Sequence, residues 1–413
     1  MRFRLNKSSS LCIRKVVVTS DMLPAATQRH CLVAISSHGF GHLSQVAPVL
    51  NQFAGECLPS DPTMRFTLRT TLPPEAIAKR VVIPFDIDMG SDDFGMVMFN
   101  ALHSNVPESL RCYEAQHADW ESAVDALAQH LSDLKVDVLF ADVPYLTLAA
   151  AARVGIPSVA MCSLNWADVL EQSVAQDPSA LATAGLSRRG LEAILQTMRE
   201  AYASASVFLQ PEPSMAMSGL SNLRRIEPVS EPAANLGRES LVQWVAQAGF
   251  KDAEQGWFVL VSMGGIPTTL KPEQWPTHCL GRPLFYLVTP DLTGQHPHAV
   301  TMQAHGMQVP VPSYQVLIAA SDVVLSKPGY GTFVEACVAG TPVLYVARPE
   351  WPESAALNQW IDRVGHARQI DAQQLATGNF EAPLCELLAQ GRSKPLESSG
   401  AASAATAIRE LCP

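Results

Sequence analysis

Short apolar runs typical of β-strands alternate with helical runs along the whole chain. Residues 31–36, 136–141, 257–262 and 323–326 are strand-like, and helical stretches lie between them. Strands that alternate with helices are characteristic of βαβ units, in which neighbouring strands run parallel. The sequence therefore predicts an α/β fold with parallel sheets in both halves of the chain.

The chain is long enough for two domains of about 200 residues each. It has 413 residues, of which 47% are hydrophobic and 16% are charged, a mixture that builds large buried cores. A stretch rich in Pro, Ser, Gly and Asn predicts a linker at residues 216–232. The predicted division is an N-terminal extension at 1–29, domains at 30–215 and 233–395, and a C-terminal helix at 396–413.

The first 20 residues are basic, carry no acid and include a run of serines. Two interpretations are open, a transit peptide and a start that is not native. In either case the segment precedes the first strand and carries no motif. We therefore expect residues 1–21 to be dispensable for folding.

Charge and cysteine usage exclude several classes of protein. The formal net charge of −10 argues against binding to nucleic acid or to an anionic membrane. No apolar run reaches the roughly 18–20 residues that a membrane span needs. The nine cysteines are dispersed, form no Cys-x-x-Cys pair and have no histidine cluster beside them. This pattern predicts free thiols in the cytoplasm, with no disulfide and no metal site.

The most informative segment is residues 320–346, which reads ASDVVLSKPGYGTFVEACVAGTPVLYV. A strand ends, Gly329 and Gly331 let the backbone approach a ligand closely, and a helix begins at Thr332. Free N–H groups and the positive helix dipole at that point suit a diphosphate. Glu335, one turn further on, can accept two hydrogen bonds from a ribose diol. The alternative is a plain strand–turn–helix with a solvated glutamate.

This segment resembles the donor-domain signature of GT-B glycosyltransferases. It is similar to the peptidoglycan N-acetylglucosaminyltransferase group, to bacterial predicted glycosyltransferases and to the glycosyltransferase-like N-terminal part of plant arabinokinase. The resemblance extends over residues 31–370 and is most specific at 326–341. It implies two Rossmann-like domains that face each other across a cleft. It also implies that the glycine turn contacts the diphosphate and that Glu335 binds the nucleotide ribose.

Two further segments of the second half match the family. The loop of Ser262, Gly264 and Gly265 follows a strand, where the family contacts the diphosphate. Glu353 and Asn358 lie where the family places polar contacts to the donor sugar. For Glu353 an ordinary position in the first turn of a helix remains open.

The first half begins with a histidine–glycine turn, SSHGFGH, between a strand and a helix. The third glycine of a dinucleotide fingerprint is missing, because Ser44 stands in its place, and this argues against NAD. The turn resembles that of the acceptor domain in the family. The resemblance makes His42 the candidate base and His38 a weaker one that contacts the acceptor, although either histidine can be structural.

Three other residues of the first half are candidates. Asp142 ends a strand, where open α/β sheets build their sites, and either pairs with His42 or caps the following helix. Asp93, in the family-like sequence DDFGM, is expected in an acceptor loop. Trp166 either stacks on an acceptor sugar or is buried in the core.

Together, the resemblance implies transfer of a hexosyl or N-acetylhexosaminyl group from a nucleotide-diphosphate sugar, with a UDP-type donor favoured. The acceptor is an unidentified hydroxyl, and the transfer is expected to invert the anomeric carbon. We expect no cofactor and no metal, since the donor half has no Asp-x-Asp pair at a strand end. A sugar-nucleotide epimerase or hydrolase, and a non-catalytic sugar-nucleotide-binding protein, are the alternatives.

Overall fold

A computed structural model describes residues 28–54, 64–233, 237–264, 270–289, 296–302 and 312–412. Residues 1–21, which we expect to be dispensable, lie outside them, as does Gly265. These described residues form two sheets, each covered by helices. The predicted α/β class is confirmed.

Within the described ranges, the first sheet has seven strands, all parallel, in the order β3-β2-β1-β4-β5-β6-β7. Every strand is short, and the central ones are buried throughout, because helices cover both faces of the sheet. The strands are β1 Arg29–Ile35, β2 Met64–Thr70, β3 Asp86–Met89, β4 Val138–Asp142, β5 Ser158–Met161, β6 Val207–Pro211 and β7 Leu223–Ile226.

In the part of the chain that the structure describes, eight helices connect these strands. The amphipathic stretch near residues 107–134 is a helix pair, in which Asn105 accepts a hydrogen bond from the backbone N–H of Glu108 at 3.1 Å and so caps the first member. The helices are α1 Phe40–Asn51, α2 Pro74–Ala78, α3 Val106–Ala118, α4 Trp120–Asp133, α5 Tyr145–Arg153, α6 Trp166–Gln176, α7 Ser179–Ala184 and α8 Arg188–Ala203.

Among the residues described in this half, the second sheet has six parallel strands in the order β11-β10-β8-β12-β13-β14, and β9 pairs antiparallel with β10. The strands are β8 Trp257–Ser262, β9 His278–Cys279, β10 Arg282–Val288, β11 Ala299–Thr301, β12 Val323–Ser326, β13 Val343–Val346 and β14 Ala367–Ile370. The helices are α9 Arg238–Gln247, α10 Tyr314–Ala320, α11 Tyr330–Ala339, α12 Ser354–Val364, α13 Ala372–Thr377, α14 Glu381–Gln390 and α15 Gly400–Glu410, with 3-10 turns at Ala253–Gln255 and Pro272–Gln274.

Two element boundaries differ from the sequence prediction. Residues 81–84 are an apolar run that predicts a strand, but they form a loop in which Val81 and Ile83 are buried, and β3 follows them. The predicted linker at 216–232 contains β7, which forms the edge of the first sheet. The crossing to the second half is therefore confined to the residues after Ile226.

Helix α15 lies on the first sheet, although it follows the second in sequence. Its small apolar face, with Ala401, Ala404, Ala405 and Ile408, is buried in the same core as Val46. It contacts α1, β5 and β7. The first structural unit is therefore built from both ends of the described chain.

The expectation that all cysteines are free thiols is wrong for one pair. Cys279 in β9 and Cys385 in α14 form a disulfide, with their Cα atoms 5.9 Å apart. They are 106 residues apart in sequence, and only the packing of α14 against β9 brings them together. A cytoplasmic location therefore no longer follows from the cysteines alone.

None of the helices in the described part of the chain is both long and apolar enough to cross a bilayer.

Candidate active site

The carboxyl edges of the two parallel sheets face each other. In the first sheet Ile35, at the end of β1, is in register with Asp142, at the end of β4. In the second sheet Ser262 is in register with Ser326. Side chains that follow these strand ends contact one another across the boundary between the halves, as with the 2.6 Å hydrogen bond from Ser163 to Glu353. Polar groups from both sheets therefore share one site, as expected for open α/β sheets.

His42 and Asp142 form a buried pair at the first edge. The Nδ1 atom of His42, in the first turn of α1, lies 2.9 Å from Oδ1 of Asp142. Helix α5, which follows Asp142, has Pro144 at its N-cap and no side-chain cap. The capping role that was open for Asp142 is therefore not seen, and its carboxylate orients His42 instead.

The pKa of His42 is shifted in the opposite direction to the one its helix position suggests, because the dipole at a helix N-terminus disfavours an imidazolium and so lowers the pKa. Burial also lowers the pKa of His42, but the carboxylates of Asp142, Asp93 and Glu353 outweigh it and raise that pKa above its ordinary value of 6.5. Nearby carboxylates thus dominate, and His42 is a stronger base than free histidine.

Cys162 completes a cluster with this pair. Its Sγ lies 3.9 Å from Nδ1 of His42, and one ligand atom from each of His42, Asp142 and Cys162 lies within 4.8 Å of the others. Among the described residues this is the only group of three or more such side chains close enough to hold a metal ion. Nδ1 of His42 is already hydrogen-bonded to Asp142. A metal ion in this cluster would therefore have to displace the hydrogen bond that orients His42.

His38 lies between two tryptophans. Its ring is stacked on Trp351 with centroids 5.6 Å apart and meets Trp166 edge-on at 5.1 Å. Burial, with the charges of His42, Arg348 and Lys327, lowers the pKa of His38 to about 3. His38 is therefore neutral at ordinary pH, and its covered Nε2 has no hydrogen-bond partner.

Trp166 is fully buried, and its Nε1 donates a 2.7 Å hydrogen bond to Asp93. It offers no ring face to an acceptor sugar in this structure, so of the two roles left open for it the buried one is observed. Burial raises the pKa of Asp93 to about 6, against the opposing charge of His42. Asp93 thus interacts with His42 at the first edge. Its neighbour Asp92 instead accepts hydrogen bonds from Nε and Nη2 of Arg69, at 2.7 and 2.8 Å.

At the second edge, Gly329 is the N-cap of α11, which begins at Tyr330, two residues earlier than expected. A Cβ at Gly331 would lie 2.1 Å from Oγ of Ser44 on α1. The glycine is therefore required where α11 touches the other half. Gly264, after β8, has a positive φ of 79° and lies beside the Lys327 side chain.

Three hydroxyls line the second edge in a chain. The Tyr314 hydroxyl lies 2.6 Å from Oγ of Ser262 and 3.0 Å from Oγ1 of Thr332. Ser262 and Thr332 were expected at a diphosphate. Tyr314 was missed, because it begins a short helix that carries no recognisable motif.

Glu335 is buried, so the alternative of a solvated glutamate is excluded. Its Oε1 forms an ion pair with Arg80, which belongs to the first half. Its Oε2 is buried without a hydrogen-bond partner. Glu335 borders a small pocket whose other walls include Ser230, Glu231 and Gln315. One carboxylate oxygen is thus held, and the other is free for a ligand.

Glu353, the N-cap residue of α12, is also buried and points across the boundary. Its Oε1 accepts from Ser163 at 2.6 Å, and its Oε2 accepts from Nε1 of Trp351 at 3.1 Å. Asn358, one turn further along α12, has a buried Oδ1 with no partner. An ordinary solvated helix start does not describe these contacts.

Two cations were not identified from the sequence. Lys327 directly follows β12, and Arg348 follows β13 by one residue. Burial and the charge of Arg348 lower the pKa of Lys327 to about 7, against the attraction of Glu353. Arg348 lies over the ring of Trp351 at 4.2 Å and donates to the carbonyl of Leu102 in the first half. Their positions at strand ends were the signal that could have revealed them.

Comparison with known proteins identifies the fold. No family model matches the chain. Among solved structures, the glycotransferase of kitacinnamycin superposes with a TM-score of 0.54 at 17% identity, covering 94% of this chain and 95% of that one. A UDP-glucosyltransferase from Polygonum tinctorium superposes with a TM-score of 0.52 at 13% identity, covering 94% of each chain. The chain has the GT-B fold. The GT-B arrangement expected from the sequence is thereby confirmed.

A curated relative is L-arabinokinase of Arabidopsis thaliana, 23% identical over 368 residues, which are 87% of this chain and 32% of the relative. The GT-B chain thus spans about a third of the length of the relative it matches.

Proposed function

We propose that the chain is a glycosyltransferase that moves a sugar from a nucleotide-diphosphate donor to an acceptor hydroxyl. The observation that carries the proposal is the buried His42–Asp142 pair at one sheet edge, opposite a glycine turn and a half-satisfied Glu335 at the other. A base and a nucleotide site that face each other are what such a transfer needs. The GT-B fold supports this assignment.

The proton is handled by the first edge. The acceptor hydroxyl gives its proton to Nε2 of His42, since Nδ1 is bonded to Asp142. The acceptor oxygen forms a bond to the anomeric carbon as the bond to the diphosphate breaks, and the nucleoside diphosphate leaves with the electron pair. Asp142 stabilises the imidazolium that results. A single displacement of this kind inverts the anomeric configuration.

The donor is held by the second edge. The first N–H groups of α11 and the ammonium of Lys327 meet the diphosphate, with the hydroxyls of Ser262 and Thr332 beside it. Positive charge from the chain itself replaces a metal ion in this assignment. Glu335 accepts from the ribose, and a UDP-type nucleotide is favoured.

The sugar and the acceptor occupy the space between the edges. Glu353 and Asn358 are assigned to the hydroxyls of a hexosyl or N-acetylhexosaminyl group, and the bare Oδ1 of Asn358 is available for one of them. The acceptor enters beside His38 and Asp93, next to the base. Trp166 contacts both of these residues, because its Nε1 donates to Asp93 and its ring meets the ring of His38 edge-on.

The test is nucleotide release from UDP-, GDP- and dTDP-sugars, with and without a panel of sugar and phenolic acceptors. We expect release that depends on the acceptor and a product of inverted configuration. Release to water alone would favour a hydrolase, and an isomerised donor an epimerase. Binding without release under every condition would indicate a non-catalytic binding protein and contradict the proposal.

A further inference from the structure

Arg80 reaches the candidate ribose site from the opposite half of the molecule. It follows α2, and its backbone is anchored by a 2.8 Å hydrogen bond from Asn51 to its carbonyl oxygen. Its guanidinium pairs with Oε1 of Glu335 on α11, 255 residues away. The amide oxygen of Gln315, turned towards Arg80, accepts from its Nε at 3.2 Å. Both the backbone and the guanidinium of Arg80 are thus held in place by hydrogen bonds.

The pairing leaves Glu335 in an unusual state. One oxygen is held by a cation, while the other is buried, bare and next to a pocket. A buried carboxylate oxygen without a hydrogen-bond partner is costly, because it has lost its water. The arrangement becomes favourable when a donor from a ligand reaches Oε2.

We propose that Arg80 is a positioning residue for the nucleotide, which keeps Glu335 ionised and turned so that Oε2 faces the ribose diol. The inference rests on the proposed function, since it takes the ligand to be a nucleoside diphosphate. It adds that the nucleotide site is completed by a residue of the first half. The donor domain alone therefore holds only part of its own ribose site.

Charges around Glu335 explain why Arg80 matters. Burial raises the pKa of Glu335, Arg80 opposes the rise, and Glu231 in the crossing segment adds to it. Tyr314 at the start of α10 also interacts with Glu335. Arg80 is the only cation in this set, so without it the carboxyl group takes up a proton at a higher pH. A protonated Glu335 cannot accept from both ribose hydroxyls.

The experiment compares the binding of UDP with that of 2′-deoxy-UDP by calorimetry between pH 6 and pH 8.5. The ratio of the two Kd values reports the contact to the 2′-hydroxyl, and titration of groups at the diphosphate cancels in it. We expect about tenfold discrimination by the parent chain, constant over this range, from one hydrogen bond to a charged acceptor. In Arg80→Gln the ratio should fall towards one at pH 6 and recover as the pH rises.

Two more variants separate positioning from a merely structural role. Arg80→Lys restores the charge and should restore discrimination at pH 6. Lys79→Gln removes the neighbouring exposed charge and should bind like the parent. Melting temperatures of all variants verify that each is folded.

The inference is overturned if Arg80→Gln discriminates like the parent at every pH, or loses discrimination equally at every pH without rescue by lysine. A parent that binds UDP and 2′-deoxy-UDP equally well also overturns it, while nucleotide binding stands. If the parent binds none of UDP, GDP and dTDP, the proposed function fails and this inference with it.

Discussion

The two sheet edges satisfy their polar groups in different ways. At the first edge the partners belong to the same sheet and its helices: His42 with Asp142, and Trp166 with Asp93. At the second edge, Ser262, Tyr314 and Thr332 also bond within their own half, but the carboxylates of Glu335 and Glu353 are bonded to Arg80 and Ser163 of the first half. The base is therefore oriented within its own half, whereas the buried acids of the donor site are held by the pairing of the two halves.

The largest expected effect concerns the first edge, where His42 is oriented by a residue of its own half. His42→Ala should lower turnover by about 10²–10⁴-fold, because the acceptor proton loses its base. Donor binding should barely change, since it depends on the other edge. Kinetics with calorimetry of the donor measure both, and His278→Ala, at an exposed histidine, is the matched control. A folded His42→Ala chain that keeps more than about a tenth of the parental turnover would refute the role of His42.

Glu335→Ala tests the second edge, where Glu335 is held by a residue of the first half. We expect nucleotide affinity to fall by up to roughly 1.5–3 kcal/mol for each hydrogen bond lost to the carboxylate. The change improves helix propensity but leaves Arg80 without its partner, so the melting temperature should fall slightly. Titration with UDP, GDP and dTDP measures the affinity, and the exposed Glu239→Ala is the control. Unaltered affinity would show that Glu335 does not touch the nucleotide.

Asp142→Asn sharpens the comparison through pH. Turnover requires neutral His42, so the parent should lose activity as the pH falls through a His42 pKa above 6.5. Removing the carboxylate lowers that pKa and should move the acid limb of the rate profile to lower pH, by one unit for each 1.36 kcal/mol of lost interaction. The maximal rate should drop by less than in His42→Ala. If the acid limb stays at the same pH, Asp142 does not control the pKa of His42.

Lys327 predicts a pH effect on the other edge. Its pKa of about 7 means that it loses its charge as the pH rises through neutrality. A bound diphosphate favours the charged form, so donor affinity should weaken by up to about tenfold per pH unit above 7. In Lys327→Met this dependence should disappear. The same slope in the variant and the parent would assign it to another group.

The smallest expected effect is that of chelation. EDTA should leave transfer unchanged, because the assigned donor contacts contain no metal. Added zinc, in contrast, should inhibit by occupying His42, Asp142 and Cys162, and EDTA should relieve that inhibition. Loss of transfer in EDTA with recovery in magnesium or manganese would contradict the metal-independent assignment.

Much of this architecture follows from local sequence patterns. Alternating strands and helices predict the two sheets, and the glycine turn predicts the start of α11. The contact between His42 and Asp142 could be inferred despite their separation of 100 residues, because both follow strands of one parallel sheet. Topology within a domain therefore suffices to bring two strand ends together.

Contacts between the halves could not be inferred in this way. The pairing of Arg80 with Glu335, and that of Ser163 with Glu353, depend on how two domains meet, which no periodicity within one element records. The same holds for Cys279 and Cys385, and for β7, whose short sequence between turns looked like linker. Charge states also required the structure, since burial and neighbours together determine the pKa of Lys327.

The return of α15 to the first sheet has a consequence for synthesis on the ribosome. The first sheet is translated early, but the alanine-rich face that covers it emerges only after the entire second half has been made. Until then, the surface around Val46 that Ala404 and Ile408 cover in the folded chain stays open to water or to a chaperone. The first domain therefore cannot complete its folding before the second domain has been synthesised. A fragment that stops at the interdomain crossing should need α15 supplied in trans to become stable.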